Sequence, residues 1–297
     1  MREDFEEKSS PSKRYAEEDA YSEEPSVEIP LSQSLETLRQ NYSWINHFHG
    51  QHPGYPFRQY PDIPWSDFEG GLLDARVALV STAGVFAKGQ KPFSISPEEV
   101  TNELQRYRFK EKGDPSFRVI PNLIDHQKLW IAHPYLDVRG AEADINVVFP
   151  VNRLQELEEE SFIGAVADHH LSFMGYLPNP NDIEEYVDEA IAQLKGDQVN
   201  VVVLTAGEVL SHQSMVVLQR AIESSGIATV SIGLCRDVIE YVGAPRAVHY
   251  RFPFGFTLGD VNDAALQLRI LKDALRLIED ADQPGATVEL PYEWVEA

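Results

Sequence analysis

One cysteine, Cys235, stands among 297 residues, which excludes an internal disulfide, a multi-cysteine structural zinc site and any dithiol chemistry within one chain. Long hydrophobic runs are also missing. No stretch reaches the roughly 18 consecutive apolar residues of a membrane span. The opening MREDFEEKSSPSKRYAEED has no apolar signal-peptide core, so a cytoplasmic protein is expected. Positive charge is scarce, 25 Lys and Arg against 48 Asp and Glu, and the net charge of -23 repels phosphate backbones and anionic lipid. Nucleic acid and membrane surfaces are therefore set aside as partners. A glycine-rich phosphate loop is absent too. Ser81-Thr82-Ala83-Gly84-Val85 is neither G-x-G-x-x-G nor a P-loop, so no dinucleotide or nucleoside triphosphate site is supported.

What is present is enough apolar residue, 43%, to bury a full core. Residues 1–28 are rich in acid and poor in apolar side chains and read as a disordered tail. Residues 29–70 read as an extension of two parts. An amphipathic helix carries Leu31, Leu35, Leu38, Tyr42 and Ile45 on one stripe, and a loop from Asn46 to Asp67 is rich in Pro, Gly, His and aromatics. Residues 71–297 form the main domain. Short apolar runs at Val77–Thr82, Ile145–Phe149, Phe162–Val166, Val199–Thr205, Ala228–Ile232 and Ala247–Tyr250 read as buried strands. Helical patterns separate most of them: Val151–Glu159, Ile183–Leu194, His212–Ser225, and a last helix from Val261 to Ile278 before a polar tail. A further helix is expected from Ser96 to Phe109, opened by a capping box. This alternation predicts an α/β fold, a mostly parallel sheet with helices on both faces.

In such sheets ligands bind beyond the carboxyl ends of the strands. The loop after the first strand offers Thr82, Ala83 and Gly84, small residues that let a ligand approach. The loop after Val199–Thr205 offers Thr205 and Gly207, then Glu208, Ser211 and His212 within a turn of a helix start that favours negative charge. Ser211 reads as a helix cap and His212 as a packing histidine, or Glu208 and His212 form an acid–base pair. His133 with Asp137, and Asp168-His169-His170, hold residue types that bind a divalent metal, as do His47, His49 and His52. None has a strong ligand spacing, so no metal site is assigned and no cofactor is expected. Cys235 beside Arg236 reads as a small buried hydrophobe or as a thiol of lowered pKa.

Taken in order, the segments Arg76-Val-Ala-Leu-Val-Ser-Thr-Ala-Gly-Val85, Gly113-Asp-Pro-Ser-Phe-Arg118, Asp144-Ile-Asn-Val-Val-Phe-Pro150 with Arg153-Leu154, and Ser172-Phe-Met-Gly175 resemble the selenoprotein B subunits of the glycine, betaine, sarcosine and D-proline reductases. His212-Gln-Ser214, Gln219-Arg-Ala-Ile-Glu223, Gly226-Ile227, Thr229-Val-Ser-Ile232, Pro245-Arg246 and Arg251-Phe-Pro-Phe-Gly255 extend the resemblance. In that family a selenocysteine or cysteine and a second cysteine three residues on precede the His-Gln-Ser segment. The resemblance sets Glu208 at the first place and Ser211 at the second, so both redox atoms are missing. The loop His133-Pro-Tyr135-Leu-Asp137 keeps a histidine and an aspartate of the family pattern, and His170 is kept beside His169, where an arginine is expected. The resemblance also implies a small amino acid or amine as substrate, and a pyruvoyl-bearing partner subunit in the D-proline enzyme.

Three readings follow. The first is a reductase-family enzyme of reductive C–N or related C-heteroatom chemistry, drawing electrons from a partner or an external thiol. The second is a non-redox lyase, isomerase or hydrolase in which Glu208 does acid–base work with His133, Asp137, His170 and His212. The third is a non-catalytic subunit or binding protein that stabilises a complex through the residue 31–45 helix, and a partner subunit or a homo-oligomer is the expected assembly.

Overall fold

The computed structural model describes residues 43–94 and 113–294. The expected tail of residues 1–28, the stripe from Leu31 to Tyr42 and the expected helix from Ser96 to Phe109 lie outside the described residues. The chain divides into two units, residues 1–42 and Ser43–Ala297, and the second holds the sheet.

In chain order the elements are α1 (Trp44–Gln51), β1 (Arg76–Thr82), β2 (Val85–Ala87), β3 (Phe117–Pro121), β4 (Leu129–Ile131), α2 (Arg139–Ala143) and α3 (Val151–Glu159). They continue with β5 (Ala165–Val166), β6 (His169–Phe173), α4 (Glu184–Gly196), β7 (Val201–Ala206), α5 (Val209–Ser224), β8 (Ala228–Gly233), α6 (Arg236–Val242), β9 (Arg246–Arg251), α7 (Ala264–Asp280) and β10 (Ala286–Glu293). The main sheet runs β10-β9-β8-β7-β1-β6-β3, with β5 also beside β1. It is parallel except for β3 against β6. The small pair β2 and β4 is antiparallel.

The fold is the expected one, an α/β protein with a mostly parallel sheet. Val77, Leu79, Val201, Val203 and Val230 point to one core, which α3 and α7 cover. Ala78, Val80, Val202 and Leu204 point to the other, which α4, α5 and α6 cover. Burial on both faces explains why these strands are continuous apolar runs.

Some expectations are corrected. Ile145–Phe149 is not a strand: Ile145–Val147 is one turn of 3-10 helix, with the Asp144 carboxylate accepting from Asn146 N. A short apolar run is buried either way, and periodicity cannot separate the two cases. Phe162–Val166 contributes two strand residues only, Ala165 and Val166; Gly164 before them lies against the Leu73 carbonyl, where an added Cβ would sit at 2.1 Å. The longer strand, β6, follows it. Asn46–Gln51, expected to open the aromatic loop, belongs instead to a helix, Trp44–Gln51, capped by Ser43. The ring pinning is real, with Tyr55 5.1 Å from Phe48 and 5.0 Å from Phe57. The polar C-terminal tail is an edge strand, β10, along β9.

The Gln219–Glu223 and Pro245-Arg246 motifs serve the scaffold. Arg246, 1% exposed, donates to Glu223 Oε1 at 2.6 Å and to the Ser66 carbonyl at 2.9 Å, and stacks 3.4 Å from the Trp65 ring. Ser66 N also donates to Glu223 Oε1, at 2.7 Å. This buried ion pair fastens the extended 56–70 segment across α5 and the start of β9.

Candidate functional site

Glu208 opens α5 as its N-cap, with extended backbone. Glutamate is not a favoured cap. Here its longer chain curls back so that Oε2 accepts from Leu210 N at 2.8 Å and Oε1 from Ser211 N at 2.8 Å. Ser211 Oγ donates to the same Oε1 at 2.7 Å. The carboxylate thus occupies the positive end of the helix, the place that P-loop and dinucleotide proteins give to an anion. Burial raises the Glu208 pKa, and the Ser211 hydroxyl and the two amides oppose that rise.

His133 arrives from the loop after β4. Its Nδ1 accepts from Tyr135 N at 3.2 Å, which assigns the ring proton to Nε2. Nε2 lies 3.1 Å from Ser211 Oγ and 3.8 Å from Glu208 Oε1. The hydrogen bonds therefore run from His133 through Ser211 to Glu208. Burial pushes the His133 pKa down to about 3, against a backbone hydrogen bond at Met174, so its resting form is neutral.

The small residues allow this closeness. Gly175, with φ +82, lies against the assembly, and a Cβ there would meet Thr82 O at 2.4 Å and Ser211 Oγ at 2.8 Å. Gly207 takes the Leu136 side chain, 3.1 Å from its would-be Cβ, and Ala83 is beside it. Gly84, with φ +78, runs against the Ala132 backbone just before His133. Thr82 Oγ1 lies 3.0 Å from the Ser211 carbonyl and 3.2 Å from that of Thr205, and donates its proton there, so it holds α5 in place.

The other candidates stand elsewhere. His212 has both ring nitrogens engaged, Nδ1 with Glu208 O at 2.6 Å and Nε2 with Leu234 N at 2.8 Å. It clamps the start of α5 to the loop after β8, and burial lowers its pKa to about 4. That geometry matches the packing-histidine reading and leaves it no nitrogen for a substrate. His170 is wholly buried: Nδ1 accepts from Leu79 N at 3.1 Å, filling a ladder position where the β1 register jumps between β5 and β6. Thr205 Oγ1 points to the other face of the sheet and donates to Val148 O at 2.6 Å. Asp137 forms an exposed pair with Arg139, Oδ2 to Nη2 at 2.6 Å.

Asp168, His169 and His170 diverge, to Arg76, Asp197 and Leu79 respectively. Among the described residues no group of three or more His, Cys, Asp and Glu side chains is arranged to hold a metal ion. Cys235 is buried, and burial pushes its thiol pKa up, so the small-hydrophobe reading holds. Gly175 and Leu136 were missed as site residues; the Ser172-Phe-Met-Gly175 segment was the signal for the first, and nothing marked the second.

The known proteins most informative about this geometry are reductase subunits. The profile of the glycine/sarcosine/betaine reductase selenoprotein B family matches residues 49–207, ending one residue before Glu208. The D-proline reductase subunit gamma of Acetoanaerobium sticklandii is 36% identical over 236 residues, covering 79% of this chain and 91% of the relative. The glycine reductase complex component B subunit gamma is 26% identical in Symbiobacterium thermophilum, over 75% of this chain, and 24% identical in Peptoclostridium acidaminophilum, over 80%. The chain spans about half the length of these two, 51% and 53%. No solved structure matches it significantly. No helix among the described residues is long and apolar enough to cross a membrane. With more than half of its length matched by the family profile and more than a third of aligned positions shared with a gamma subunit, the chain belongs to the glycine/sarcosine/betaine reductase selenoprotein B family.

Proposed function

We propose that this chain is a subunit-type family member that acts on a small amino acid or amine by acid–base chemistry centred on Glu208, in place of selenol chemistry. The observation that carries this reading is the buried chain from His133 Nε2 through Ser211 Oγ to Glu208 Oε1. Burial raises the pKa of this carboxyl, the direction that suits a general base, and the Ser211 hydroxyl and two amides oppose that rise. Glu208 takes a proton from the substrate carbon or nitrogen and returns it, and Ser211 and His133 hold the carboxyl in register.

Neither a carboxylate nor a serine hydroxyl cycles between oxidised and reduced states as a selenol and thiol do. Reductive cleavage here therefore needs electrons from a partner or an external thiol. The gamma-subunit names of the relatives support assembly with a partner subunit. A second reading, a non-catalytic subunit, is favoured by one observation: both Glu208 oxygens are already engaged by their own helix.

The test is a thermal-shift screen of small amino acids and N-methylated amines on wild type and Glu208→Ala. A ligand at a hundredfold excess over its dissociation constant stabilises the protein that binds it by about 2.7 kcal/mol. Stabilisation of the wild type that the variant loses supports the reading. No stabilisation by any amine or amino acid moves the weight to the non-catalytic subunit.

A further inference from the structure

An open strand edge is a template for pairing with another chain, so edge strands usually carry proline, charge or a covering side chain. The two ends of the main sheet are guarded in this way. At β3, Gln90 Nε2 donates to the Val119 carbonyl at 2.8 Å and Arg118 Nη1 to the Phe117 carbonyl at 3.0 Å, and the strand ends on Pro121. At β10, Glu289, Pro291 and Glu293 stand on the strand itself. In the small sheet, β2 has its Ala87 amide donated to Gln90 Oε1 at 2.8 Å. β4 differs: it pairs with β2 along one edge, and among the described residues no strand lies on the other.

Register decides which groups that edge presents. Lys88 N donates to the Lys128 carbonyl at 2.8 Å and Ala132 N to that of Gly84 at 2.9 Å. Bonded residues alternate in an antiparallel pair, so Leu129 and Ile131 turn their backbone groups away from β2. Leu129 N is spent on the His126 carbonyl, which leaves the Leu129 carbonyl and both groups of Ile131. Between them stands Trp130, 49% exposed, its ring centroid 5.8 Å from that of Phe86. Leu123, 89% exposed, and Tyr135, 52% exposed, flank β4 in sequence, so three of the four most exposed large apolar side chains among the described residues fall between 123 and 135. The charge is unusual too. Residues 84–139 hold nine Lys and Arg against seven Asp and Glu, in a chain of 25 against 48, so the acidic excess lies elsewhere.

We propose that β4 is the contact through which two copies of this chain form a symmetric dimer, paired antiparallel about Trp130. A two-fold axis there sets Ile131 N opposite Leu129 O of the second copy, and the reverse, for two main-chain hydrogen bonds. It also sets Trp130 beside Trp130 of the second copy in the close, non-bonded position, and joins the two β2-β4 pairs into one four-stranded sheet. A second copy fits because the open donor and acceptor are complementary to themselves. Charge selects the same pairing. Contact through the rest of the chain brings acidic surfaces together, which repel. Here Lys128 falls opposite Ala132 of the second copy, so like charges do not meet across the axis. The dimer does not rest on the chemistry proposed at Glu208.

The experiment is sedimentation velocity of the full chain across the micromolar range, joined to disulfide trapping. Wild type is expected to sediment as two 33.5 kDa chains. Trp130→Glu is expected to keep its far-UV circular dichroism and to dimerise at least roughly thirtyfold more weakly, the worth of one central aromatic anchor. Leu73→Glu, at an exposed apolar side chain outside this stretch, stays dimeric. For the register, Trp130→Cys and Leu73→Cys are oxidised with diamide; Cys235, the native cysteine, is buried. Opposed residues in the non-bonded position have Cα atoms about 4.5 Å apart, within disulfide reach, so Trp130→Cys links two chains and Leu73→Cys does not. That result decides the matter even if Trp130→Glu fails to fold. The proposal is overturned if wild type is monomeric throughout, which leaves the face to residues 95–112 or to a different protein. It is equally overturned if Trp130→Glu folds and stays dimeric, or if Trp130→Cys links no faster than Leu73→Cys.

Discussion

Mild acid should unfold this protein steeply, because three histidines are buried in the neutral form. His133 and His170 are held down to about 3 and His212 to about 4, from an ordinary 6.5. Burial is the first cause in each, and like-charge repulsion from His169 adds to it at His170. The folded pKa lies below the unfolded one, so the unfolded chain binds more protons in the window from 6.5 down to about 4. The stability these sites contribute is complete above pH 6.5 and is lost as pH falls. Between pH 7 and pH 5 each site loses about 2 kcal/mol, and the three together about 6 kcal/mol, from the 1.36 kcal/mol per pH unit of one proton. Glu208 and Glu223 act in the opposite sense, since burial raises their pKa values and the folded form then holds protons above the ordinary 4.5. They reduce the loss, and His249, whose pKa burial also lowers, adds to it, so about 6 kcal/mol is the share of the three histidines alone, comparable to the whole stability of many domains. Urea titrations followed by tryptophan fluorescence at pH 7, 6, 5.5 and 5 measure it. A total loss below about 2 kcal/mol would show that these histidines are not buried neutral, and the reasoning would fail.

Other outcomes follow from single contacts. Gly175→Ala forces a Cβ at positive φ into Thr82 O and Ser211 Oγ and should cost about 2–4 kcal/mol by urea midpoint. Glu223→Gln leaves the Arg246 charge buried beside Trp65 and should cost about 3–5 kcal/mol, whereas Glu223→Leu with Arg246→Met should recover much of it. Cys235 in the folded protein should react with an aromatic disulfide reagent at the rate of unfolding, since its thiol is buried and its pKa raised; fast reaction in buffer would contradict that burial.

Much of the fold was legible in the residues because burial on both faces writes parallel strands as unbroken apolar runs. Val77–Thr82 and Ala228–Ile232 match β1 and β8 to within a residue, and Val151–Glu159 matches α3. What escaped depended on side chains meeting at a distance. Ile145–Phe149 is as apolar as a strand, but the Asp144 carboxylate turns its backbone and Ser81 and Thr205 donate to Val148 O from outside the run. β10 alternates polar and apolar residues as an edge strand does, and so read as a tail.

In the site, the position after β7 was readable from chain order, but the cap was not: Glu208 rather than Ser211 is the N-cap, and α5 starts at Val209 rather than His212, because the glutamate carboxylate reaches the Leu210 and Ser211 amides. The meeting of Glu208 and Ser211 with His133, 78 residues from Ser211, was not readable either. His170 and His212 show why a histidine in a promising loop is weak support on its own. Each ring is spent on a backbone amide that the fold left without a partner, Leu79 N and Leu234 N.

The central claim is that Glu208 moves a proton on a bound amine or amino acid. The direct measurement is exchange of the substrate Cα hydrogen for deuterium in D2O, followed by proton NMR without any thiol reductant, on wild type, Glu208→Gln and Ser211→Ala. The account predicts exchange above the buffer rate in wild type, loss of roughly a hundredfold or more in Glu208→Gln, within the usual range for general-base catalysis, and a smaller loss in Ser211→Ala. Exchange that is equal in wild type and Glu208→Gln would contradict it.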